Sequence, residues 1–293
     1  MATLKIIQDS DETLSAYLGE RCLWTYHYVP PPFIPPSTGG KRGAGQPCFH
    51  PVNTPAGYTI SLLSPWDHVH HCALWFAWKL IDGVNAWEGP AYEPYEPKIV
   101  PDGLDLSKTG FTAAYRWEKL DGALLLLGQT ECACKLIGER AYAIDLSYKF
   151  DAPSDKSVVL DRNPPPTAGY AGLSIRVIRE FRHAKYLDAD GRTAPPPRGT
   201  CTAWQTYSGP IDGGPNRRGG VALMDHPKNP RFPTPTYCIH ESESFGFLQC
   251  AFLYHEPYTL KPGEPLRLLY RVMVYDGEAL EKQLIEWFDD FAR

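Results

Sequence analysis

The strongest constraint on the fold is the regular alternation of apolar and polar residues in long segments. In residues 141–150, AYAIDLSYKF, every even-numbered position is apolar, whereas Asp145, Ser147 and Lys149 are polar. Residues 266–275, LRLLYRVMVY, repeat the alternation. A period of two is typical of strands that bury one face, and DG, GE and KPGEP turn signals separate such segments. The sequence therefore predicts an all-β protein built mainly from antiparallel strands.

The C-terminal segment has a different period. Residues 277–292 carry an apolar stripe at helical spacing, which includes Leu284, Phe288 and Phe291, among acidic residues and lysine. No internal repeat divides the 293 residues. We therefore expect one domain over residues 1–293, a large antiparallel two-sheet β-sandwich with a C-terminal helix at 277–292.

The composition argues against several classes of partner. The formal net charge of −5 leaves no basic excess to hold nucleic acid or an anionic membrane. The longest apolar runs, at 72–78 and 123–127, are far shorter than the roughly 20 residues that cross a bilayer. The N-terminus lacks the basic and apolar regions of a secretory signal. We therefore expect a cytoplasmic protein that binds a small molecule, with its eight cysteines mainly reduced core residues.

A polar cluster precedes an apolar, tryptophan-rich stretch in SPWDHVHHCALWFAW, residues 64–78. If the cluster is extended, His68 and His70 point to the same side, about 7 Å apart along the backbone at roughly 3.3 Å per residue. Asp67 and His71 would then face the opposite side. This arrangement predicts that the two imidazoles on one side act together and that Asp67 orients a neighbouring ring.

The cluster is compatible with two kinds of chemistry. With His50 brought alongside by a hairpin, His68 and His70 are suitable ligands for Zn²⁺, Fe²⁺, Mn²⁺ or Ni²⁺. Without a metal, one histidine would protonate a leaving or ring oxygen while a carboxylate takes the other proton. A purely structural alternative is that Asp67 and His68 hold the strand entry by backbone hydrogen bonds. The sequence leaves these alternatives open.

Tryptophans beside the cluster favour a sugar as the ligand. An indole face stacks on the C–H face of a sugar ring while polar neighbours bind its hydroxyls. Trp66 and Trp87, at strand ends among polar residues and glycine, are candidates for the rim of a binding pocket. Trp75 and Trp78, inside ALWFAW, are expected in the core.

A second polar segment is MDHPKNPRFPTP, residues 224–235, which contains Asp225, His226, Asn229 and Arg231. Its prolines exclude a regular helix or a central strand. A rigid loop with convergent polar groups is a common place for binding residues. The alternative is a structural loop whose side chains cap their own backbone turns.

Three further residues are candidates for binding substrate. Arg176 lies on the polar side of the alternating segment GLSIRV and is suited to clamp a carboxylate or a sugar oxyanion. Trp204 and Tyr207, in TAWQTYSG, are candidates for contacts with the same ligand. The sequence contains no serine-nucleophile, P-loop or dinucleotide-binding motif, which argues against those chemistries.

Several segments, in order, resemble the PmoA-like family of bacterial proteins from about residue 45 onward. They are CFHPVNTPAGYTI, PWDHVHHCALWFAW, GVNAW, GLSIRV, VALMDHPKNPRFPTPTY and LKPGEPLRLLYRVMVYDG. The resemblance implies a β-sandwich enzyme of carbohydrate utilisation, with functional positions in its D-H-x-H-H and D-H-P-x-N-P-R motifs and at His50. One departure is that Cys72-Ala73 stands where the family usually has Arg-Gly, which removes any role of that arginine.

Together these features predict a carbohydrate-active enzyme on a sandwich similar to the galactose mutarotase supersandwich. It would cleave or rearrange a glycoside or an oxidised keto-sugar, as a hydrolase, a lyase or an epimerase. The expected catalytic set is His50, Asp67, His68, His70 and His226. The expected substrate contacts are Trp66, His71, Trp87, Arg176, Trp204, Tyr207, Asp225, Asn229 and Arg231. The alternatives are a non-catalytic sugar-binding protein and a mutarotase-like or epimerase-like enzyme without metal.

Overall fold

The computed structural model describes residues 3–33, 43–88, 97–165, 169–214, 216–242 and 245–293. It confirms the predicted architecture, because the chain forms two large antiparallel sheets packed face to face and a helix near the C-terminus. In the part of the chain that is described, no helix has the length and apolar character needed to cross a membrane.

The strands in chain order are β1 (Leu4–Gln8), β2 (Thr13–Leu18), β3 (Arg21–His27), β4 (Pro32–Phe33), β5 (Gly43–Ala44), β6 (Cys48–Val52), β7 (Leu74–Ala77), β8 (Leu80–Ile81), β9 (Val84–Asn85), β10 (Lys98–Leu106), β11 (Gly110–Glu118), β12 (Leu124–Ile137), β13 (Ala141–Asp151), β14 (Val158–Asp161), β15 (Gly172–Arg176), β16 (Lys185–Asp188), β17 (Trp204–Pro210), β18 (Arg218–Asp225), β19 (Ile239–Ser242), β20 (Phe245–Ala251), β21 (Tyr258–Leu260) and β22 (Leu266–Asp276). A 3-10 helix spans Arg179–His183, and helix α1 spans Glu281–Ala292.

Two eight-stranded sheets make up the sandwich. The first has the order β1-β2-β3-β6-β7-β15-β20-β19, and the second has the order β10-β11-β12-β13-β22-β18-β17-β16. A four-stranded sheet, β21-β14-β8-β9, and a two-stranded ribbon, β4-β5, accompany them. Neighbouring strands of the two large sheets pair antiparallel throughout, as the sequence predicted.

The core lies between the two large sheets and is rich in aromatic side chains. Alternation in β13 turns Tyr148 and Phe150 inward, and both rings contact Phe76 of β7 in the first sheet, at 4.5 and 5.1 Å between centroids. Trp75 and Trp78 are buried, as predicted. Close packing of large rings from both sheets fixes the distance and orientation of one sheet against the other.

The C-terminal helix packs on the outer face of the second sheet. It begins at Glu281 rather than at residue 277, because Gly277 has a φ of +78° and Leu280 is an extended N-terminal cap. Leu284 is fully buried in a cluster with Met224 and Met273 of the sheet. The predicted helix is therefore confirmed, with a start four residues later.

Pairing in the first sheet determines where the polar cluster lies. Strands β7 and β15 are neighbours, with Leu74 opposite Ile175, and the Arg176 N–H donates to the Ala73 carbonyl at 2.7 Å. The loop that precedes β7 therefore lies beside the end of β15 and the 3-10 helix that follows it. The histidines therefore meet Arg176 and Arg179, which are distant in sequence, at the end of these two inner strands.

Candidate functional site

The histidine loop, residues 65–71, consists of two consecutive turns. The His68 N–H donates to the Pro65 carbonyl at 3.0 Å, and the His71 N–H donates to the His68 carbonyl at 2.9 Å. The Ser64 hydroxyl closes the loop by donating to the Val69 carbonyl at 2.9 Å. The predicted extended conformation is therefore wrong, because local turn hydrogen bonds replace strand pairing before β7 begins.

The turns gather all three imidazoles instead of separating them onto two faces. Ring centroids lie 5.7 Å apart for His68 and His70, 4.8 Å for His68 and His71, and 4.9 Å for His70 and His71. His71 is the deepest ring, stacked on Phe247 at 5.1 Å and next to Trp75 at 5.4 Å. It forms the floor of the cluster, with 5% of its surface exposed, whereas the His68 side chain is 38% exposed.

Asp67 is the electrostatic centre of the loop. It accepts hydrogen bonds from Arg176 Nη2 at 2.8 Å, Arg179 Nη2 at 2.6 Å and His68 Nδ1 at 3.1 Å. Burial raises the pKa of Asp67, but the bonds from Arg176, Arg179 and His68 outweigh burial and hold that pKa well below its usual range. The carboxylate is ionised and accepts only, so His68 Nδ1 carries the hydrogen of this bond.

A buried ion pair lies behind His70, and sequence reasoning missed it. The Lys79 ammonium contacts the Glu88 carboxylate, and the Tyr170 hydroxyl donates to Glu88 Oε1 at 2.5 Å. Burial raises the pKa of Glu88, but the bonds from Lys79 and Tyr170 produce a net lowering. A lysine and a glutamate placed inside otherwise apolar segments were the available signal, since such residues are rarely buried without a partner.

His70 is close enough to the Lys79–Glu88 pair for both charges to affect its pKa, and it is itself uncharged at neutral pH. Burial lowers its pKa to about 4, and this effect exceeds the opposing influence of the Glu88 carboxylate. Burial also lowers the pKa of His71 well below its usual value. Each ring therefore offers one N–H donor and one acceptor nitrogen at pH 7.

The tryptophan candidates have different environments. Trp66 is 80% exposed, and the Arg179 guanidinium lies over its ring at 5.8 Å. Trp87 is only 3% exposed and packs against Trp75 and Tyr170, at 5.6 and 5.0 Å between ring centroids. The structure therefore leaves Trp66 exposed beside Arg179, where its role at the rim of a pocket stays a prediction, and places Trp87 inside next to Tyr170.

Arg176, Trp204 and Tyr207 are also buried. Arg176 is completely inaccessible, in contrast to an exposed polar strand face, because Asp67 neutralises it there. Trp204 lies in the cluster under helix α1, and the Tyr207 hydroxyl contacts Cys238 Sγ at 3.0 Å. The structure does not bring these two aromatic residues to the histidine loop, so their contact with substrate stays a prediction.

His50 occupies a separate environment on β6. Its Nδ1 lies 3.0 Å from the Ser61 hydroxyl, and its carbonyl oxygen lies 2.8 Å from His27 Nε2. Burial, followed by the nearby His27, lowers the pKa of His50 to about 4. Its partners lie outside the histidine loop, so a shared catalytic role stays a prediction.

The segment after β18 folds mainly onto itself. Asp225 accepts from Asn229 Nδ2 at 2.6 Å and from the Thr234 N–H at 2.8 Å, and burial raises its pKa to about 6. Asn229 also exchanges two hydrogen bonds of 2.7 Å with the Leu269 backbone. These contacts match the structural-loop alternative, in which the polar side chains satisfy neighbouring backbone groups.

His226 and Arg231 complete this loop with structural partners. His226 Nδ1 accepts from the Lys228 N–H at 3.0 Å, and its ring packs edge-on against Phe291 of helix α1 at 4.8 Å. Arg231, at a φ of +68°, donates to the carbonyl oxygens of Phe252 and Pro257, both at 2.9 Å. The structure therefore separates both residues from the histidine loop, and their predicted roles toward substrate stay untested.

The metal prediction has little geometric support in the described residues. Among them, no group of three or more His, Cys, Asp or Glu side chains is arranged to hold a metal ion. His68 directs Nδ1 to Asp67, and His50 lies elsewhere. The chemistry proposed below therefore uses no metal. Elemental analysis of protein purified without chelator tests whether His50, His68 and His70 bind one.

Buried neutral histidines make the fold sensitive to acid. His50 and His70 have a pKa of about 4, below the ordinary value of 6.5 that applies to the unfolded chain. Their stabilising effect is complete above pH 6.5 and is lost as the pH falls from 6.5 toward 4. We expect each to reduce the free energy of unfolding by about 2 kcal/mol between pH 7 and pH 5. Urea unfolding at both pH values measures the change, and His70→Asn should show a smaller fall; an equal fall would contradict the prediction.

A protein-family profile described as a family of unknown function, DUF6807, matches residues 13–288. The chain belongs to this family. The match covers nearly the whole chain without assigning an activity, and the resemblance to the PmoA-like family stays a prediction. No curated protein matches the chain.

Some solved structures are similar to the chain at low sequence identity. Slr1438 from Synechocystis sp. PCC 6803 is 10% identical, with 94% of this chain and 97% of that chain covered and a TM-score of 0.39. A putative mutarotase, YeaD, from Salmonella typhimurium is 8% identical, with 94% and 97% covered and a TM-score of 0.36. A GalM/aldose epimerase homologue from C. elegans is 8% identical, with 96% and 100% covered and a TM-score of 0.35. At these scores the supersandwich subtype stays a prediction.

Proposed function

We propose that this protein is a sugar epimerase of the mutarotase type, which moves protons at the anomeric centre without a metal. The observation that supports this most directly is the Asp67–His68 pair, joined at 3.1 Å, with the neutral His70 ring 5.7 Å from His68. Two proton-transfer groups of different character therefore lie next to each other. Anomeric exchange requires one acid and one base at neighbouring oxygens.

His68 is the acid in this proposal. The Asp67 carboxylate accepts a hydrogen bond from Nδ1 and thereby fixes the orientation of the ring. Nε2–H of the imidazolium gives its proton to the ring oxygen of the sugar as the bond from that oxygen to the anomeric carbon breaks. Arg176 and Arg179 keep Asp67 ionised, so the carboxylate does not remove the Nδ1 proton from His68.

His70 is the base that completes the step. Its neutral ring accepts the proton of the anomeric hydroxyl as that oxygen becomes the carbonyl of the open-chain sugar. The nearby Glu88 carboxylate favours the positive charge that forms on His70, as its effect on the pKa of His70 indicates. After rotation of the open chain, the reverse transfers close the ring on the other face and restore both histidines.

Cleavage of a glycoside fits the carboxylates less well. Glycoside hydrolysis by two carboxyl groups needs one of them protonated as a general acid, with a raised pKa. In this site the pKa values of Asp67 and Glu88 are both lowered, by arginines in one case and by Lys79 and Tyr170 in the other. Both groups are therefore suited to stabilising positive charge on a histidine, which favours epimerisation over hydrolysis.

Exchange spectroscopy tests the proposal directly. Proton NMR of equilibrated aldoses and uronic acids, with and without protein, measures the rate at which the two anomers interconvert. We expect at least one sugar to exchange about 10²-fold or more faster than in buffer, as positioned acid/base groups provide. Binding without faster exchange would instead support the non-catalytic sugar-binding protein, and cleavage of a glycoside would overturn the epimerase proposal.

A further inference from the structure

Arg179 and Trp66 form a rim at the open side of the histidine loop. The Trp66 indole is 80% exposed, which is unusual for so large an apolar side chain, and the Arg179 guanidinium lies 5.8 Å from its ring centroid. One nitrogen of that guanidinium, Nη2, donates to Asp67 Oδ1 at 2.6 Å. Arg179 and the proposed acid, His68, therefore donate hydrogen bonds to the same carboxylate, that of Asp67.

The cationic groups of the site differ in accessibility. Arg176 is fully buried against Asp67, and the Lys79 side chain is 4% exposed against Glu88. The Arg179 side chain is 33% exposed. Its remaining N–H groups have no acceptor among the described residues, since the bond from Nη2 to Asp67 is its one hydrogen bond there. A partly exposed guanidinium with unused donors is suited to receive an anionic group from solution.

The balance of charges around the histidine loop also favours an anionic ligand. Among the described residues, three cationic side chains, Arg176, Arg179 and Lys79, face two carboxylates, Asp67 and Glu88. The local excess is positive although the whole chain carries a formal charge of −5. An anionic ligand at the rim would neutralise this excess, whereas a cationic ligand would be repelled by it.

We infer that the sugar bound here is an acid sugar, whose carboxylate is held by Arg179 while its ring stacks on Trp66. A carboxylate matches the planar fork of a guanidinium and accepts two parallel hydrogen bonds. The Trp66 face would cover the C–H face of the ring and direct the anomeric end toward His68 and His70. This inference rests on the proposed function only for the orientation of the anomeric end, because recognition of the acid group is a property of the rim.

Calorimetric titration with matched sugars tests the inference. The probes are glucuronate, glucose and glucose 6-phosphate, at low and high salt, against the full chain and the variants Arg179→Gln and Arg179→Lys. Arg217→Gln is the control, because Arg217 is an exposed arginine that also lies over an aromatic ring, that of Tyr58 at 4.9 Å. We expect glucuronate to bind about 10- to 100-fold more tightly than glucose, the range that charge-assisted hydrogen bonds provide.

The variants separate recognition from a structural role. Arg179→Gln should remove the preference for glucuronate over glucose, Arg179→Lys should keep part of it, and Arg217→Gln should keep all of it. Equal affinity for glucuronate and glucose, an equal loss for both sugars in Arg179→Gln, or tighter binding of the sugar phosphate would overturn the inference. Faster anomer exchange without a preference for the acid sugar would overturn the inference and keep the proposed function. Arg179-dependent binding of glucuronate without faster exchange would keep the inference and overturn the proposed function.

Discussion

Replacing His68 by Asn is expected to lower the rate of anomer exchange by about 10²- to 10⁴-fold, the usual contribution of a positioned acid/base group. The Asn side chain retains hydrogen-bonding groups beside Asp67, but it cannot transfer a proton. The protein should stay folded, because the His68 side chain is 38% exposed and fills no part of the core. Exchange NMR with the sugar that the wild-type protein converts measures the rate, and titration with the same sugar measures affinity.

A matched histidine variant controls for non-specific effects. His255 is exposed and lies outside the histidine loop, where its Nε2 contacts the Gly199 carbonyl at 2.9 Å. His255→Asn should therefore keep the wild-type exchange rate. Retention of the full rate in His68→Asn would remove His68 from the mechanism, and an equal loss in both variants would indicate a general effect on the fold.

The architecture was predictable because alternation is a local property of the chain. Each long strand, such as β13 and β22, contains its own inward and outward positions, and the inward positions are buried as predicted. The outward positions at one end of each strand are buried as well, because helix α1 covers them. The C-terminal helix was predictable for the same reason. Its start was less so, since the φ of +78° at Gly277 depends on how the chain leaves β22.

The loop before β7 shows what local periodicity does not reveal. A polar stretch bounded by Pro65 and a core strand was compatible with an extended entry, whereas the structure closes two turns with backbone hydrogen bonds. The identity of the cluster residues was nevertheless informative. Asp67, His68 and His70 do lie together, although the turns and not alternation bring their side chains close.

The partners of the loop depend on long-range pairing and were not predictable from spacing. Arg176 and Arg179 reach Asp67 because β15 is the neighbour of β7 in the first sheet. Glu88 reaches Lys79 because the β8–β9 hairpin turns the chain back. A sequence shows that such residues are polar in apolar surroundings, but the sheet order decides which charges meet.

The second large effect concerns stability, since Arg176 is a fully buried cation that depends on Asp67. We expect Asp67→Asn to lower the free energy of unfolding by about 3–5 kcal/mol, the usual cost of removing one partner of a buried ion pair. Urea unfolding at pH 7 measures the loss as a lower midpoint. Asp102→Asn is the matched control, because Asp102 contacts Arg116 in a solvent-exposed pair, whose removal should leave the midpoint nearly unchanged.

A double variant identifies the source of the loss. Combining Asp67→Asn with Arg176→Met removes both charges and retains an unbranched side chain, so the pair should be less destabilised than the sum of the two single variants. Additive losses would mean that the buried pair is not coupled, and a loss no larger than that of Asp102→Asn would mean that Asp67 does not stabilise Arg176. If the coupling is measured, the same charge pair that fixes the loop also keeps Asp67 ionised beside His68, which ties the stability of the loop to its proposed chemistry.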